Sequence, residues 1–533
     1  MIVALALVVL CLVASAPLTG NISAAPPTDL PEWLFMDYIA IDNSDLDYES
    51  PIYDIMNANQ KLDMLLDGYA APTSEVISIA LVDRYYNWYE GGVDTGNHNA
   101  RIYQASYQSL VQISDCGELD TGDPQTLADF VIWAASTYPA NKYSLTIFDH
   151  GNGWQGLCND QHRDQPVPVP KSSIDMGELK NALATAESTV GFKLDVIAFD
   201  ACLMQNTEVA YQIRDYAKVM VGPEEIGCIG CIDFILGRLT ATPSVDAFGL
   251  GAIYVEEAGM QHNTGQPVTL SAIDLSKVGT VVTNLQKFAT YLTGYLKDPD
   301  PAKAQGYRAA IEDCRAHVCH FEYEVDDFVD LYDFTNLCYA CSQSGLLPNT
   351  KGFVQSMTTI KSTVLSMTIA EHHNVLEPYY EHAYSISIYC PNVTSDWSSN
   401  KASYAIIDMS LSAAAPAWGA FLEVYFAPSA SPPGVPQSLT SWASPASQGK
   451  YIVLNWLAPL SDGGSPITQY IILRSTRSGA ERQFATVSGT SLSYTDFSVK
   501  VGITYYYKVQ AVNAVGPGPL SAETWNTVQD PRP

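Results

Sequence analysis

Positive charge is scarce in this chain. Its 533 residues hold 27 Lys and Arg against 57 Asp and Glu, a formal charge of −30. Phosphate contacts need a basic surface, so nucleic acid is excluded as a partner. The imbalance suits a soluble exported protein, and it would attract cationic substrates over a distance set by salt. Long apolar runs are also few. Beyond the first segment no stretch reaches about 18 uncharged apolar residues, which excludes a later membrane-spanning helix. Zinc-ribbon and zinc-finger spacings are missing as well. The two C-x-x-C pairs, Cys228/Cys231 and Cys338/Cys341, lie far apart in sequence, and no His follows either at finger spacing. Disulfides are the preferred reading for these cysteines in an exported chain, with Cys314 and Cys319 as similar cases. A metal-binding redox protein built on the same pairs is the weaker rival. No calcium-loop pattern is present, and no metal ligand is assigned.

What the chain does have begins with "MIVALALVVLCLVASAPLTGNISAAPP". This is apolar to about Pro17 and exits through small residues near Ala24. It reads as a signal peptide over residues 1–25, although no basic residue follows Met1, which leaves a retained anchor as the alternative. The expected location is secreted or cell-surface, with membrane contact only through an uncleaved first segment. Cys11 lacks the small residues of a lipidation site. The 47% of hydrophobic residues suffices for a sizeable core, and the length exceeds one ordinary domain. A Pro/Ser linker, "APSASPPGVP" at residues 427–436, divides a large domain at 30–426 from a tail at 437–533.

The large domain alternates strand and helix patterns and is expected to be α/β. "WLFMDYIAIDN" from Trp33 and "EVISIALVDR" from Glu75 read as buried strands. "GDPQTLADFVIWAASTYP" reads as a helix with Asp123 as N-cap, Pro124 in the first turn, and Leu127, Phe130, Val131 and Ala134 on one face. "KYSLTIFDHGNGW" is a strand ending at His150. "DMGELKNALATAESTVG" carries a capping-box pair, Asp175 and Glu178. "KLDVIAFDAC" is the next strand, "LMQNTEVAYQIRDYA" the next helix and "KVMVGPEE" a closing short strand. Helices at 244–262 and 277–296 flank the strand "VTLSAIDLS". In the tail, Trp456, Tyr470 and the period-two series Tyr505, Tyr507, Val509, Ala511 indicate a β-sandwich.

Two parallel strands joined by a helix place their C-terminal ends on one side of the sheet, where ligands of open α/β folds gather. His150 and Cys202 end two such strands, 52 residues apart. The spacing can bring imidazole and thiol into one cleft. A helix N-terminus after Cys202 would favour its thiolate, and His150 would serve as base and then as acid. The N–H groups of Gly151 and Cys202 would form an oxyanion hole. Asp200, two residues before Cys202, would line the same cleft and hold a cationic substrate group, Arg better than Lys. Its structural alternative is capping the following helix.

These motifs resemble those of the clostripain-like cysteine endopeptidases, relatives of the caspases. The resemblance rests on "FDHGNGW" at 148–154 and "FDACLMQNTEVAYQIRDYA" at 199–217, with support from "YIAIDNSDLD", "VDLYDF" and "YSISIYCP", and covers about residues 33–426. It implies a caspase-like, mostly parallel sheet flanked by helices, with His150 and Cys202 as the catalytic dyad. Asp200 falls on the pocket acid that selects Arg or Lys before the scissile bond. A second pocket acid falls on Asp233 or Glu225, and the insertion "IGCIGCIDF" departs from the family pattern there. Protein or peptide substrates with basic residues are implied, and no cofactor is required. Calcium is a family option that no motif here supports. Self-cleavage between the two catalytic strands is a family habit. Lys171 and Arg163 in "NDQHRDQPVPVPKSS" are the candidate sites, with Lys171 preferred because Ser172 follows it. The tail resembles a fibronectin type III module, which implies a spacer or a surface for binding polymers or cell surfaces. The rival to a peptidase is a non-catalytic adhesion protein that displays this module on a peptidase-like fold.

Overall fold

The computed structural model describes residues 30–41, 75–84, 99–106, 109–160, 172–227, 229–261, 269–321, 327–373, 378–411, 417–427, 431–445 and 449–529. The expectations for segment 1–25, Cys11, Ala24, Arg163, Lys171 and Cys228 lie outside these residues. The chain divides into two compact units. One comprises the residues up to Lys297 with Gly306–Tyr425, the other Asp298–Gln305 with Phe426–Pro533.

In the first unit the strands in chain order are β1 (Trp33–Ile41), β2 (Val76–Arg84), β3 (Ala100–Ser106), β4 (Ser109–Gly117), β5 (Lys142–Phe148), β6 (Leu157–Asp160), β7 (Ser172–Ile174), β8 (Leu194–Asp200), β9 (Ala217–Pro223), β10 (Thr269–Asp274), β11 (His320–Phe321), β12 (Phe328–Asp330), β13 (Thr368–His373) and β14 (Ser387–Tyr389). The central five, in spatial order β9-β8-β5-β1-β2, run parallel. All nine residues of β1 are buried. A strand apolar on both faces needs cover on both, which is why such sheets are parallel and flanked by helices. Antiparallel strands extend both edges: the hairpin β3–β4 beyond β2, and β10 then β13 beyond β9. That hairpin was not anticipated from sequence.

Local signals set the helices. Asp123 caps α1 (Pro124–Thr137) by accepting from the Gln125 N–H at 2.9 Å, with Pro124 at the first turn. The Asp175/Glu178 capping box opens α2 (Met176–Val190) through reciprocal bonds of 2.8 and 2.9 Å. Gly191 closes it in the left-handed region that glycine adopts freely. Helix α3 is short, Thr207–Ile213. It is followed by α4 (Ile232–Ala241), α5 (Ala247–Gln261), α6 (Val278–Leu296), α7 (Pro301–His317) and α8 (Leu331–Ser344). Helices α4 and α5 share an apolar core with Val196 and Ala198 of β8 and Val219 and Val221 of β9.

Cys314, Cys319, Cys338 and Cys341 are free thiols, so the second C-x-x-C pair is not the expected disulfide, while the first pair includes Cys228, outside the described residues. Cys338 and Cys341 lie one turn apart within α8, so the helix holds them on a common face and not across a loop.

The second unit is the expected sandwich. Strands β15 (Gln437–Ala443), β16 (Ile452–Leu457) and β19 (Ser493–Asp496) form one sheet. Strands β17 (Gln469–Ser475), β18 (Arg482–Ser488), β20 (Thr504–Val512), β21 (Pro517–Leu520) and β22 (Thr524–Thr527) form the other. Trp456, Tyr470, Tyr505, Tyr507, Val509 and Ala511 meet in its core.

Candidate functional site: two strand tips and an elbow

Strands β5 and β8 are parallel neighbours with Phe148 opposite Asp200. Helix α2 lies between them in sequence and is the crossover. Both chains leave the sheet at the same level, one into Asp149-His150-Gly151 and the other into Ala201-Cys202-Leu203.

The two tips touch. A Cβ built on Gly151 would lie 2.4 Å from the Cys202 carbonyl oxygen and 3.0 Å from the Cys202 nitrogen and the Ala201 Cβ. Only glycine fits this approach. The sequence offered Gly151 as an oxyanion-hole donor. Here the obstacle to a side chain is the backbone of Cys202 itself. His150 immediately precedes this contact and is half-buried, as is Cys202. The loop is held from behind. Asp149 accepts from the Asn159 N–H at 2.5 Å. Gly153, at φ +54°, lies so close that an added Cβ would reach within 2.7 Å of the Phe328 ring and 2.6 Å of Asn206 Nδ2. Trp154 is buried edge-on against Tyr389 and Tyr404.

The cysteine sits on a strained elbow. Leu203, next in the chain, has φ +62°, a conformation that costs a side-chain-bearing residue about 1 kcal/mol or more. The surroundings fix it. Leu203 donates to the Glu225 carbonyl (3.2 Å), Gln205 donates to the Pro223 carbonyl (2.9 Å), and Ser387 donates to the Gln205 carbonyl (3.0 Å). No residue type at Leu203 announces such a turn, so sequence reasoning missed it.

Two expectations need correction. Cys202 is not at a helix N-terminus, because α3 starts five residues later, capped by Asn206, whose side chain accepts from the Val209 N–H at 2.8 Å. Burial pushes the Cys202 thiol above its ordinary pKa. The Gly227 N–H and the residue's own N–H pull it down, while the charges of Asp200 and Glu225 push it further up. Nor does Asp200 share a strand face with Cys202, since β8 ends at Asp200 and the thiol stands on the turn beyond.

Asp200 is 1% exposed. Its carboxylate accepts from the Ile229 N–H at 2.6 Å and the Gly230 N–H at 3.5 Å, so it anchors the segment that follows Glu225. It does not cap α3. Glu225 is buried too, and it accepts from Tyr380 Oη at 2.9 Å and the Ile226 N–H at 2.7 Å. Of the two candidate second acids, Glu225 acts electrostatically on the Cys202 sulfur. Asp233 instead faces Glu257 at the start of α4 and is pushed up, first by burial and then by that charge. Among the described residues no group of three or more His, Cys, Asp or Glu side chains is arranged to hold a metal ion. No helix among them is long and apolar enough to cross a membrane.

The sequence is 25% identical over 321 residues to clostripain from Hathewaya histolytica, a match that covers 50% of this chain and 59% of that relative. The chain thus spans about 59% of the curated relative it matches. Two similar solved structures are a secreted C11 cysteine protease from Bacteroides thetaiotaomicron bound to an irreversible peptide inhibitor, and an inactive zymogen C11 protease from Parabacteroides distasonis. The first is 17% identical with a TM-score of 0.49, covering 72% of this chain and 98% of that one. The second is 15% identical with a TM-score of 0.48, covering 73% and 99%. The sequence pattern of the fibronectin type III domain matches residues 435–526. The pattern of the clostripain family matches residues 38–424, most of the chain, and the protein therefore belongs to the clostripain family.

Proposed function

We propose that the protein is an exported cysteine endopeptidase that cuts after Arg or Lys, with Cys202 as nucleophile and His150 as general base and acid. The observation that carries this reading is the contact between the two tips, with Gly151 pressed against the backbone of Cys202 beside a left-handed Leu203. His150 takes the proton from Cys202 Sγ, and the sulfur attacks the scissile carbonyl carbon. The resulting oxyanion points to the Gly151 and Cys202 N–H groups, a type of contact that lowers barriers by about 3 kcal/mol. His150 then protonates the leaving amine, and water releases the acid from the acyl-enzyme. Because burial holds the thiol above its ordinary pKa, the proton leaves with the help of a base and not spontaneously.

Asp200 and Glu225 are the acids whose charge reaches the sulfur. They supply the field that selects a cationic side chain before the scissile bond, and Arg suits paired carboxylates better than Lys. Self-cleavage at Lys171, or at Arg163, would open the chain between β6 and β7.

A fluorogenic Arg-amide or Lys-amide assay with reductant tests the reading, with Cys202→Ala as control. Cleavage lost at least about a thousandfold in the variant is expected. Equal turnover in both proteins, or none in either, would end the proposal. Intact masses of the two proteins report processing: the active protein is expected in two pieces, the variant in one.

A further inference from the structure

Three thiols from two helices meet away from the strand tips. Cys314 is in the last turn of α7, and Cys338 and Cys341 are on α8. The Cys314 and Cys341 sulfurs are 3.5 Å apart. Cys338 also hydrogen-bonds Cys314, and together the two neighbours pull the Cys314 thiol below its ordinary pKa. Cys314 and Cys338 are buried, while Cys341 is half-exposed. A bonded pair of sulfurs lies about 2 Å apart. The gap between Cys314 and Cys341 therefore closes by a movement of about 1.5 Å, within reach of one side-chain rotation at the half-exposed residue.

We propose that Cys314 and Cys341 form a reversible disulfide between α7 and α8 by exchange with a low-molecular-weight disulfide. The Cys341 thiolate attacks one sulfur of the small disulfide. A mixed disulfide forms, and one small thiolate leaves and takes a proton from solvent. The Cys314 thiolate then attacks the Cys341 sulfur and expels the second small thiolate. Two protein thiols are oxidised, one small disulfide is reduced to two thiols, and the two protons lost by the protein end on them. The accessible sulfur meets the oxidant, and the buried one, favoured as a thiolate, closes the bond. Burial and the neighbouring Cys314 push the Cys341 thiol up to about 12. The first step is therefore slow at neutral pH and quickens about tenfold per pH unit. Cys338 stays reduced beside the bond.

The two cysteines are 27 positions apart in the chain. Constraining a loop of that length removes unfolded-chain entropy and stabilises the folded state. That loop includes Phe328, whose side chain backs Gly153 in the His150 loop. Oxidation would thus brace a support of the candidate site without touching the site.

The test uses the full chain with Cys202→Ala, so that no other half-exposed described thiol competes. It is incubated with oxidised glutathione or with dithiothreitol, alkylated, digested and mapped by mass spectrometry. Cleavage at Arg315 separates the two cysteines, and fragmentation distinguishes Cys338 from Cys341. The oxidised sample is expected to be two hydrogens lighter, with Cys314 joined to Cys341 and a higher urea midpoint than the reduced sample. Adding Cys341→Ser removes both changes; adding Cys338→Ala removes neither. Four results would overturn the proposal: Cys314 still alkylated after oxidation, a linkage to any other cysteine, a mixed glutathione adduct that stalls on Cys341, or stoichiometric zinc shielding the thiols.

Discussion

One buried acid from each unit shows two opposite ways of burying a carboxylate. In the fibronectin type III unit, Asp496 is buried against a cation. Arg474 donates to it at 2.6 Å, and Tyr507 Oη and the Ser498 N–H donate at 2.8 Å each. Its pKa is lowered: burial raises it, and the Ser498, Arg474 and Tyr507 hydrogen bonds together outweigh that. In the clostripain-family unit, Glu208 of α3 is buried with the Tyr404 hydroxyl at 2.7 Å and the Tyr389 N–H at 3.1 Å, and its second oxygen has no described hydrogen-bond partner. Burial raises its pKa to about 7. Asp330 follows the same rule, pushed well up by burial while backbone N–H groups of Asp333 and Tyr384 hold it. A carboxylate set into a sandwich for structure is given its counter-charge. A carboxylate set among hydroxyl and backbone donors with no cation beside it holds its proton more tightly instead.

The largest effect that tests this contrast is confined to the first unit. Gly151→Ala drives a Cβ into the Cys202 backbone, 2.4 Å from its carbonyl oxygen. Peptidase activity is expected to fall about a thousandfold, ~4 kcal/mol of barrier. Hydrogen exchange of β17 and β20 peptides should be unchanged. Ordinary kinetics in the variant would mean that the tips do not need their close fit.

The next effect is in the pH dependence of the first unit. Glu208 binds its proton more tightly folded than unfolded, from 4.5 to about 7. Its stabilising contribution is therefore complete below pH 4.5, falls as pH rises, and is gone above about 7. At about 1.4 kcal/mol per unit, the loss between pH 5 and pH 8 is about 3 kcal/mol. Urea unfolding of the Cys202→Ala protein should show this fall, and adding Glu208→Gln should remove that share. A fall of the same size in the Gln variant would assign it to other groups.

The smallest effect has the opposite sign. Asp496 has a lowered folded pKa, so its contribution is present above the unfolded value near 3.8 and is lost as pH drops through the folded one. Asp496→Asn should cost the sandwich about 2 kcal/mol at pH 7, read as faster exchange in β17 and β20, and should flatten the acid limb. If both units lost stability in the same pH direction, the contrast drawn between them would fail.

How much of this was legible depends on how local the signal was. The capping residues Asp123, Asp175 and Glu178 act within one turn, and the structure uses each as the sequence suggested. The period-two burial of β20 is a property of strand geometry alone. Helix α3 was read too long because "LMQNTEVAYQIRDYA" has helical periodicity throughout, yet Asn206 caps it only at Thr207. That error carried over into the assumed helix dipole at Cys202. The hairpin β3–β4 escaped because strands such as "ARIYQAS" interleave polar with apolar residues, and β4 is the sheet's edge strand.

Sequence by itself determined the alternation of β5, α2, β8, α3 and β9, the crossover that aims β5 and β8 the same way, and the residue types available at their tips. These follow from periodicity, capping and the handedness of βαβ units, all short-range rules. Tertiary structure alone decided that Gly151 lies on the Cys202 backbone, that Leu203 turns left-handed, that Glu225 and not Asp233 acts on the sulfur, and that Cys314 approaches Cys341. Each of those depends on segments far apart in the chain being packed at interior density, where a single Cβ or a buried charge is felt over a few ångströms.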